Sequence, residues 1–251
     1  MELLSDPFAL GMACLAVTII GMGKGGFFGL GAMATPLLAL ALPPAIAAAI
    51  LLPVLLAQDA VSVWSFRASW DRWIVSWMLP GAVAGIAFAT FFAANVDEAM
   101  LIATLGVITL SFGIYRLWLE RGGRIAAPSN SPGWVGTLFG VGMGVTSQIA
   151  HAGGPPFQMW VTPRRLDNQT YAGTTSVLFA LVNWIKVPGF VAFGALNRQT
   201  LMAAVVLMPL AIITTLVAVR VIRRLDTARF YTMIHVIMVL LGGKLIWDGV
   251  T

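Results

Sequence analysis

Residues 140–156 read Gly-Val-Gly-Met-Gly-Val-Thr-Ser-Gln-Ile-Ala-His-Ala-Gly-Gly-Pro-Pro, and residues 21–36 read Gly-Met-Gly-Lys-Gly-Gly-Phe-Phe-Gly-Leu-Gly-Ala-Met-Ala-Thr-Pro. Both are glycine-rich breaks in long apolar stretches. Inside a bilayer, irregular backbone persists only where protein or a water-filled cavity satisfies its polar groups. Glycine lets the chain turn and lets a ligand approach the backbone. A helix that starts after such a break points free N–H groups inward, and that end attracts anions. The first break offers Lys24, Gly25, Gly26, Gly31 and Thr35 to a substrate. The second offers Ser147, Gln148, His151, Gly153 and Gly154. The competing reading is that these glycines only permit tight helix packing. The Gly-Lys-Gly-Gly piece is not a nucleotide loop, because the Gly-x4-Gly-Lys-Ser/Thr spacing is missing.

Composition sets the surroundings of these breaks. The 251 residues are 59% hydrophobic and only 10% charged, and the mean hydropathy is +0.90. A soluble domain carries roughly 25% charged residues. Too few charges are present to coat a water-facing surface, so a soluble enzyme, a disordered chain and a DNA-binding domain are excluded. The 15 Lys and Arg are scattered singly or in pairs, which is not the clustered face of a nucleic-acid binder. They resemble the cytoplasmic loop charges of an integral membrane protein. One cysteine, Cys14, and two histidines, His151 and His235, supply no disulfide and no metal cluster. The first residues lack the basic region of a cleaved signal peptide, so the first apolar segment is expected to stay in the structure.

A spanning helix needs about 20 apolar residues. Charge-free runs divided at turn residues predict segments 8–23, 28–42, 45–66, 73–93, 98–118, 133–150, 155–163, 170–192, 199–221 and 229–248. The first, second, sixth and seventh are short or glycine-broken; the other six are ordinary spanning helices. The one clearly polar linker is 119–132, near the middle of the chain.

That position suggests a duplication. Placing Pro80 on Pro209 also places Asp97 on Asp226, Gly113 on Gly242 and Trp118 on Trp247, without a gap. Gly21-Met22-Gly23 matches Gly142-Met143-Gly144, and Asp59 falls on Asn183 with small changes of offset. Loop charge orients the halves. The loop 94–98 holds Asp97 and Glu98 and no basic residue; its counterpart, 220–229, holds Arg220, Arg223, Arg224 and Arg229. Basic loops stay in the cytoplasm, so equivalent loops lie on opposite sides and both termini lie outside. The expected fold is an all-α polytopic membrane protein of two inverted-topology repeats. Each has a glycine-broken helical hairpin plus three spanning helices. The first repeat is 1–118, the cytoplasmic linker 119–132 and the second repeat 133–251, forming one integrated membrane domain. Such repeats are common in secondary transporters, whose substrates sit near the midplane on broken helices.

At the two breaks the chain resembles the TauE/SafE family of membrane transporters, also called TSUP. Gly29-Leu-Gly-Ala-Met-Ala-Thr-Pro-Leu-Leu38 carries the resemblance in the first half, with Gln58-Asp59. His151-Ala-Gly-Gly-Pro-Pro156, Thr174-Thr-Ser176 and Asn183-Trp-Ile-Lys-Val-Pro188 carry it in the second. The chain departs from the family's glycine triplet at Ala32-Met33 and at His151-Ala152. The resemblance implies transport of sulfite or an organosulfonate such as sulfoacetate, often outward. Gln58, Thr175, Ser176 and Asn183 then join the candidate donors to sulfonate oxygens.

Ionisable groups inside a membrane are functional candidates by default. Asp59, His151 and Lys186 are coupling or gating candidates; Lys24 lines the pocket or snorkels to an interface. The leading function is a secondary transporter for a small anion in the bacterial cytoplasmic (inner) membrane. An anion channel or an uptake permease is the alternative. An intramembrane enzyme is disfavoured, because paired carboxylates, a His/Cys metal set and Gly-x-Ser-x-Gly are all missing. No cofactor, metal or nucleic acid is expected. The expected partners are the small anion, the lipid bilayer and, as an open option, a second copy in a homodimer.

Overall fold

The computed structural model describes residues 6–24, 30–123, 130–221 and 228–251, with backbone alone at 168, 219, 221, 228–235 and 237. Gly25, Gly26, residues 124–129 of the linker, Arg223, Arg224 and Asp226 lie outside the described residues, as does the side chain of His235. Every described segment of regular structure is helical. The helices are α1 (Pro7–Lys24), α2 (Ala34–Leu38, preceded by a 3-10 turn at Leu30–Met33), α3 (Pro44–Phe66), α4 (Arg72–Ala94) and α5 (Glu98–Glu120). In the second half they are α6 (Gly133–Ala150), α7 (Gly154–Val161), α8 (Asn168–Ala192), α9 (Arg198–Val221) and α10 (Ala228–Val250). Each half therefore runs long, short, long, long, long. Six helices among the described residues are long and apolar enough to cross a membrane, α1 included. The protein is a polytopic membrane protein.

The few acidic residues largely mark helix starts. Asp71 accepts from the Ile74 amide at 3.1 Å, Asp97 from Met100 at 2.8 Å and Asp167 from Thr170 at 3.0 Å. Each satisfies an N–H that the helix itself leaves unpaired. The segment expected at 28–42 is shorter as a helix than its apolarity suggests, ending at Leu38. Residues 39–41 continue as turn, and Pro43 keeps Leu42, directly before it, from helical backbone.

Both broken segments double back. At the first, Gly23 approaches Gly31 so closely that a Cβ on Gly23 would lie 3.2 Å from the Gly31 nitrogen. Leu38 and Leu42 then pack with Ala9 and Ala13 near the start of α1. At the second, Trp160 Nε1 donates to Ser131 Oγ at 3.0 Å and Arg164 donates to the Ser131 carbonyl at 2.6 Å, so the end of α7 returns to the start of α6. The feet of the two hairpins lie at opposite ends of α4. Leu42 and Pro44 share a cavity with Ala93 and Ala94, whereas the Arg164 guanidinium lies 4.7 Å from the ring of Trp73. The 23 residues of α4 separate those ends by about 34 Å.

Contacts between the halves are reciprocal. α4 packs on α6 as α9 packs on α1, α4 on α8 as α9 on α3, while α3 meets α8 and α5 meets α10. The α4–α6 seam is built from interlocking glycines. A Cβ on Gly81, Gly85, Gly140 or Gly144 would lie between 2.0 and 2.3 Å from a carbonyl oxygen of the other helix. Spacing of four residues keeps both pairs on one face, and such small residues let membrane helices approach backbone to backbone.

Candidate functional site

The ends of α1 and α6 converge on α8, where they line a partly open cavity of about 70 Å3. The first break contributes Gly23, Lys24 and Gly31; the second contributes Ser147, His151 and Gly154; α8 contributes Thr175, Ser176 and Asn183. The volume is room for a few waters, the size of a small oxyanion.

Lys24 lines the cavity, and two further charged side chains, Asp59 and Lys186, stand behind its lining, bonded to Lys24 and Asn183 and to Ser147 and His151. Lys24 forms an ion pair with Asp59, and Asn183 Nδ2 donates to the other Asp59 oxygen at 2.5 Å. The carboxylate is 1% exposed and is thus satisfied by both halves of the chain. Lys186 is fully buried and has no carboxylate within ion-pair distance among the described residues. Its ammonium instead meets His151 Nδ1 at 2.6 Å and the Ser147 carbonyl and hydroxyl, each at 3.2 Å. Three acceptors for three N–H groups complete its hydrogen bonding, but none of them is charged. Two lysines against one carboxylate leave one formal positive charge. An uncompensated charge in a dry interior is very costly, and an anion in the cavity would compensate it.

His151 is held on both sides. Its Nε2 lies 2.9 Å from the Ala48 carbonyl of α3. A carbonyl can only accept, so Nε2 carries the proton and Nδ1 is the acceptor for Lys186. The residue also has φ of 52°, in the left-handed region where glycine usually ends a helix. Its amide bonds the Ser147 carbonyl at 3.1 Å, and the next amide, Ala152, bonds Thr146 at 3.1 Å. A histidine in a glycine's place, with both ring nitrogens engaged, indicates that the ring is required there.

A second, larger cavity of about 890 Å3 lies on the other side of His151. It runs from a mouth at Asn197, Arg198 and Gln199 to a floor at Ala48, Gln148 and Phe190. Phe190 stacks on the His151 ring with centroids 6.1 Å apart. The wall between vestibule and inner cavity is therefore one imidazole, its hydrogen bond to Ala48 and one phenyl ring.

The structure places the remaining candidates as follows. Gln148 lines the vestibule, not the inner cavity. Thr175 lines the inner cavity, with its hydroxyl donating to the Tyr171 carbonyl at 2.7 Å. Gln58 ties helices together, its Nε2 reaching the Val17 carbonyl at 3.4 Å and the Ala211 carbonyl at 3.3 Å. Thr35 is buried and lines neither cavity, and its hydroxyl has no partner among the described residues. Gly153 packs inside the hairpin, where a Cβ would lie 3.0 Å from Met143. Lys24 lines the inner cavity and is paired with Asp59. Sequence reasoning passed over Gln158, which lines the inner cavity and accepts from Arg116 at 2.5 Å. It also passed over Phe179, whose ring centroid lies 5.2 Å from Lys24 Nζ. A charge-bearing residue inside a span, such as Arg116, was the available signal.

Among the described residues, ten helices and two doubled-back hairpins meet at a charged pocket, the architecture of a membrane transport protein. The chain matches the family model described as sulfite exporter TauE/SafE over residues 13–245 and belongs to that family. No curated protein and no solved structure matches it.

Proposed function

We propose that this chain carries sulfite or an organosulfonate such as sulfoacetate outward across the bacterial cytoplasmic membrane by alternating access. The observation that carries this reading is the surplus positive charge of Lys24 and Lys186 over Asp59 at the point where both breaks meet. The inner cavity supplies neutral donors beside it, which hold an anion without the grip of a full salt bridge. The halves 1–118 and 133–251 act as inverted repeats joined by the linker 119–132. The reciprocal helix contacts and the hairpin feet at opposite ends of α4 support this reading. Rocking of one repeat against the other then exposes the cavity to each side in turn. The lipid bilayer and the small anion are its partners.

The test is counterflow of labelled sulfite in proteoliposomes. The wild-type protein is expected to accumulate label against unlabelled sulfite, and Lys186→Met is expected to lose the exchange. Current without counterflow in the wild type would make the protein a channel, and neither current nor counterflow would remove the transport reading for sulfite.

A further inference from the structure

Gln158 stands in the second turn of α7, 7% exposed and lining the inner cavity. Its Oε1 accepts from Arg116 Nη1 of α5 at 2.5 Å. A guanidinium only donates, so this bond settles which end of the amide faces which way. Oε1 turns to Arg116 and Nε2 turns away from it. Nε2 has no hydrogen-bond partner among the described residues and, unlike Gln58 Oε1, it is not walled in by protein. The open space beside Gln158 is the inner cavity. Other neutral donors of that lining are already committed. Thr175 Oγ1 donates to the Tyr171 carbonyl at 2.7 Å, Ser176 Oγ to the Ala172 carbonyl at 2.8 Å and Asn183 Nδ2 to Asp59 at 2.5 Å. A buried amide nitrogen left unbonded is destabilising. Its N–H groups, beside Lys24 in the same lining, suit an acceptor that carries charge, because such hydrogen bonds are about twice as strong as neutral ones.

We propose that Gln158 contacts the transported anion, donating through Nε2, and that Arg116 is a positioning residue that holds the amide with its donor end inward. The proposal rests on the anion-transport reading above. It adds a donor from α7 and gives a purpose to an arginine inside a span. With the amide reversed, Oε1 would face the anion and repel it. Arg116, a donor on every nitrogen, would then meet another donor, so it disfavours that orientation.

The experiment uses the full-length protein in detergent, with sulfite as the probe in calorimetric titrations. Gln158→Met keeps the length of the side chain and removes its N–H groups. It is expected to weaken sulfite by about 10- to 150-fold, the loss of one donor to a charged ligand. Arg116 is tested by comparing Arg116→Lys, which keeps a donor-only cation, with Arg116→Met. With Gln158 present, Arg116→Met should bind sulfite severalfold more weakly than Arg116→Lys. In the Gln158→Met background the two should agree within about twofold, because no amide is left to orient. A gap that persists there would mean that Arg116 acts through its charge, and no gap with Gln158 present would mean that it does not act on the anion; either overturns the positioning role. Wild-type sulfite affinity in folded Gln158→Met would overturn the contact while leaving the transport reading intact. If Gln158→Met fails to fold, Gln158→Glu carries the same test. It keeps the bond to Arg116 and presents only oxygen to the cavity, so unchanged sulfite affinity there would overturn the contact as well. Absence of sulfite binding in the wild type would remove the transport reading for sulfite and this inference with it.

Discussion

The Lys186 Nζ lies 2.6 Å from His151 Nδ1, so a fully buried lysine is met by an imidazole where a carboxylate would pair with it. An anion in the cavity would favour its charged form. Sulfite should therefore stabilise the wild-type protein in thermal unfolding, by about 2.7 kcal/mol at a hundredfold excess over Kd. Lys186→Met should show no sulfite-dependent shift. An equal shift in both proteins would place the anion elsewhere.

Asp59 is the counterpart case, a carboxylate bonded from two sides by Lys24 and Asn183. Asp59→Leu leaves Lys24 as a largely buried, unpaired charge. Removing one partner of such a pair costs about 3–5 kcal/mol. The double variant Lys24→Met/Asp59→Leu should recover most of that loss in detergent melts. A double variant as unstable as the single would mean that Asp59 acts through Asn183 alone.

The backbone at His151 permits a test that separates ring from turn. With φ at 52°, alanine is strained there by about 1–2 kcal/mol while glycine is not. His151→Gly should thus be more stable than His151→Ala by about 1 kcal/mol, although both lose the bonds to Ala48 and Lys186. Both should lose sulfite binding. Retained binding in His151→Gly would assign His151 to the turn only.

Two glycines predict opposite outcomes. A Cβ at Gly85 would lie 2.2 Å from the Val141 carbonyl, whereas one at Gly31 meets nothing within 4 Å. Gly85→Ala should push α4 off α6 and lower the melting temperature by several degrees, in line with overpacking costs of about 1–3 kcal/mol. Gly31→Ala should melt as the wild type does, since the open space at Gly31 holds among the described residues.

For the inverted arrangement, single cysteines at Asn95 and at Arg165, in a Cys14→Ala background, should be labelled from opposite sides of intact cells. Labelling of both by an impermeant reagent from outside would exclude it.

The long helices were legible because charge and hydropathy alone delimit them. The run expected at 73–93 is Arg72–Ala94, and the one expected at 170–192 is Asn168–Ala192. The breaks were legible only in part: α1 runs on through Gly21 and Gly23 to Lys24, and α6 runs through Gly140, Gly142 and Gly144 and stops only at His151. Pairings were not. Nothing local in the sequence says that Asp59 bonds Lys24 rather than Lys186, since partners 35 residues apart are chosen by how α1 crosses α3. Gln148 and His151 are three residues apart and read as one cluster. A single left-handed residue at His151 ends the helix there, and the wall formed by Ala48 and Phe190 separates the two side chains into different cavities.

The lone surplus charge at the pocket also fixes how voltage enters a transport cycle. In the proposed cycle, with Lys24 and Lys186 both protonated, the empty site carries one positive charge; holding a singly charged anion, it is neutral. A potential acts only on the step that moves charge, so the loaded protein crosses indifferent to it and the empty protein does not. With the cytoplasm negative, the empty cationic site is drawn back inward by up to about 2.3 kcal/mol per 100 mV. Export would then need no co-transported ion, and its voltage dependence would sit in the unloaded return. A doubly charged anion doubles the driving force and spreads it over both steps, because the loaded site then carries one negative charge that the potential pushes outward.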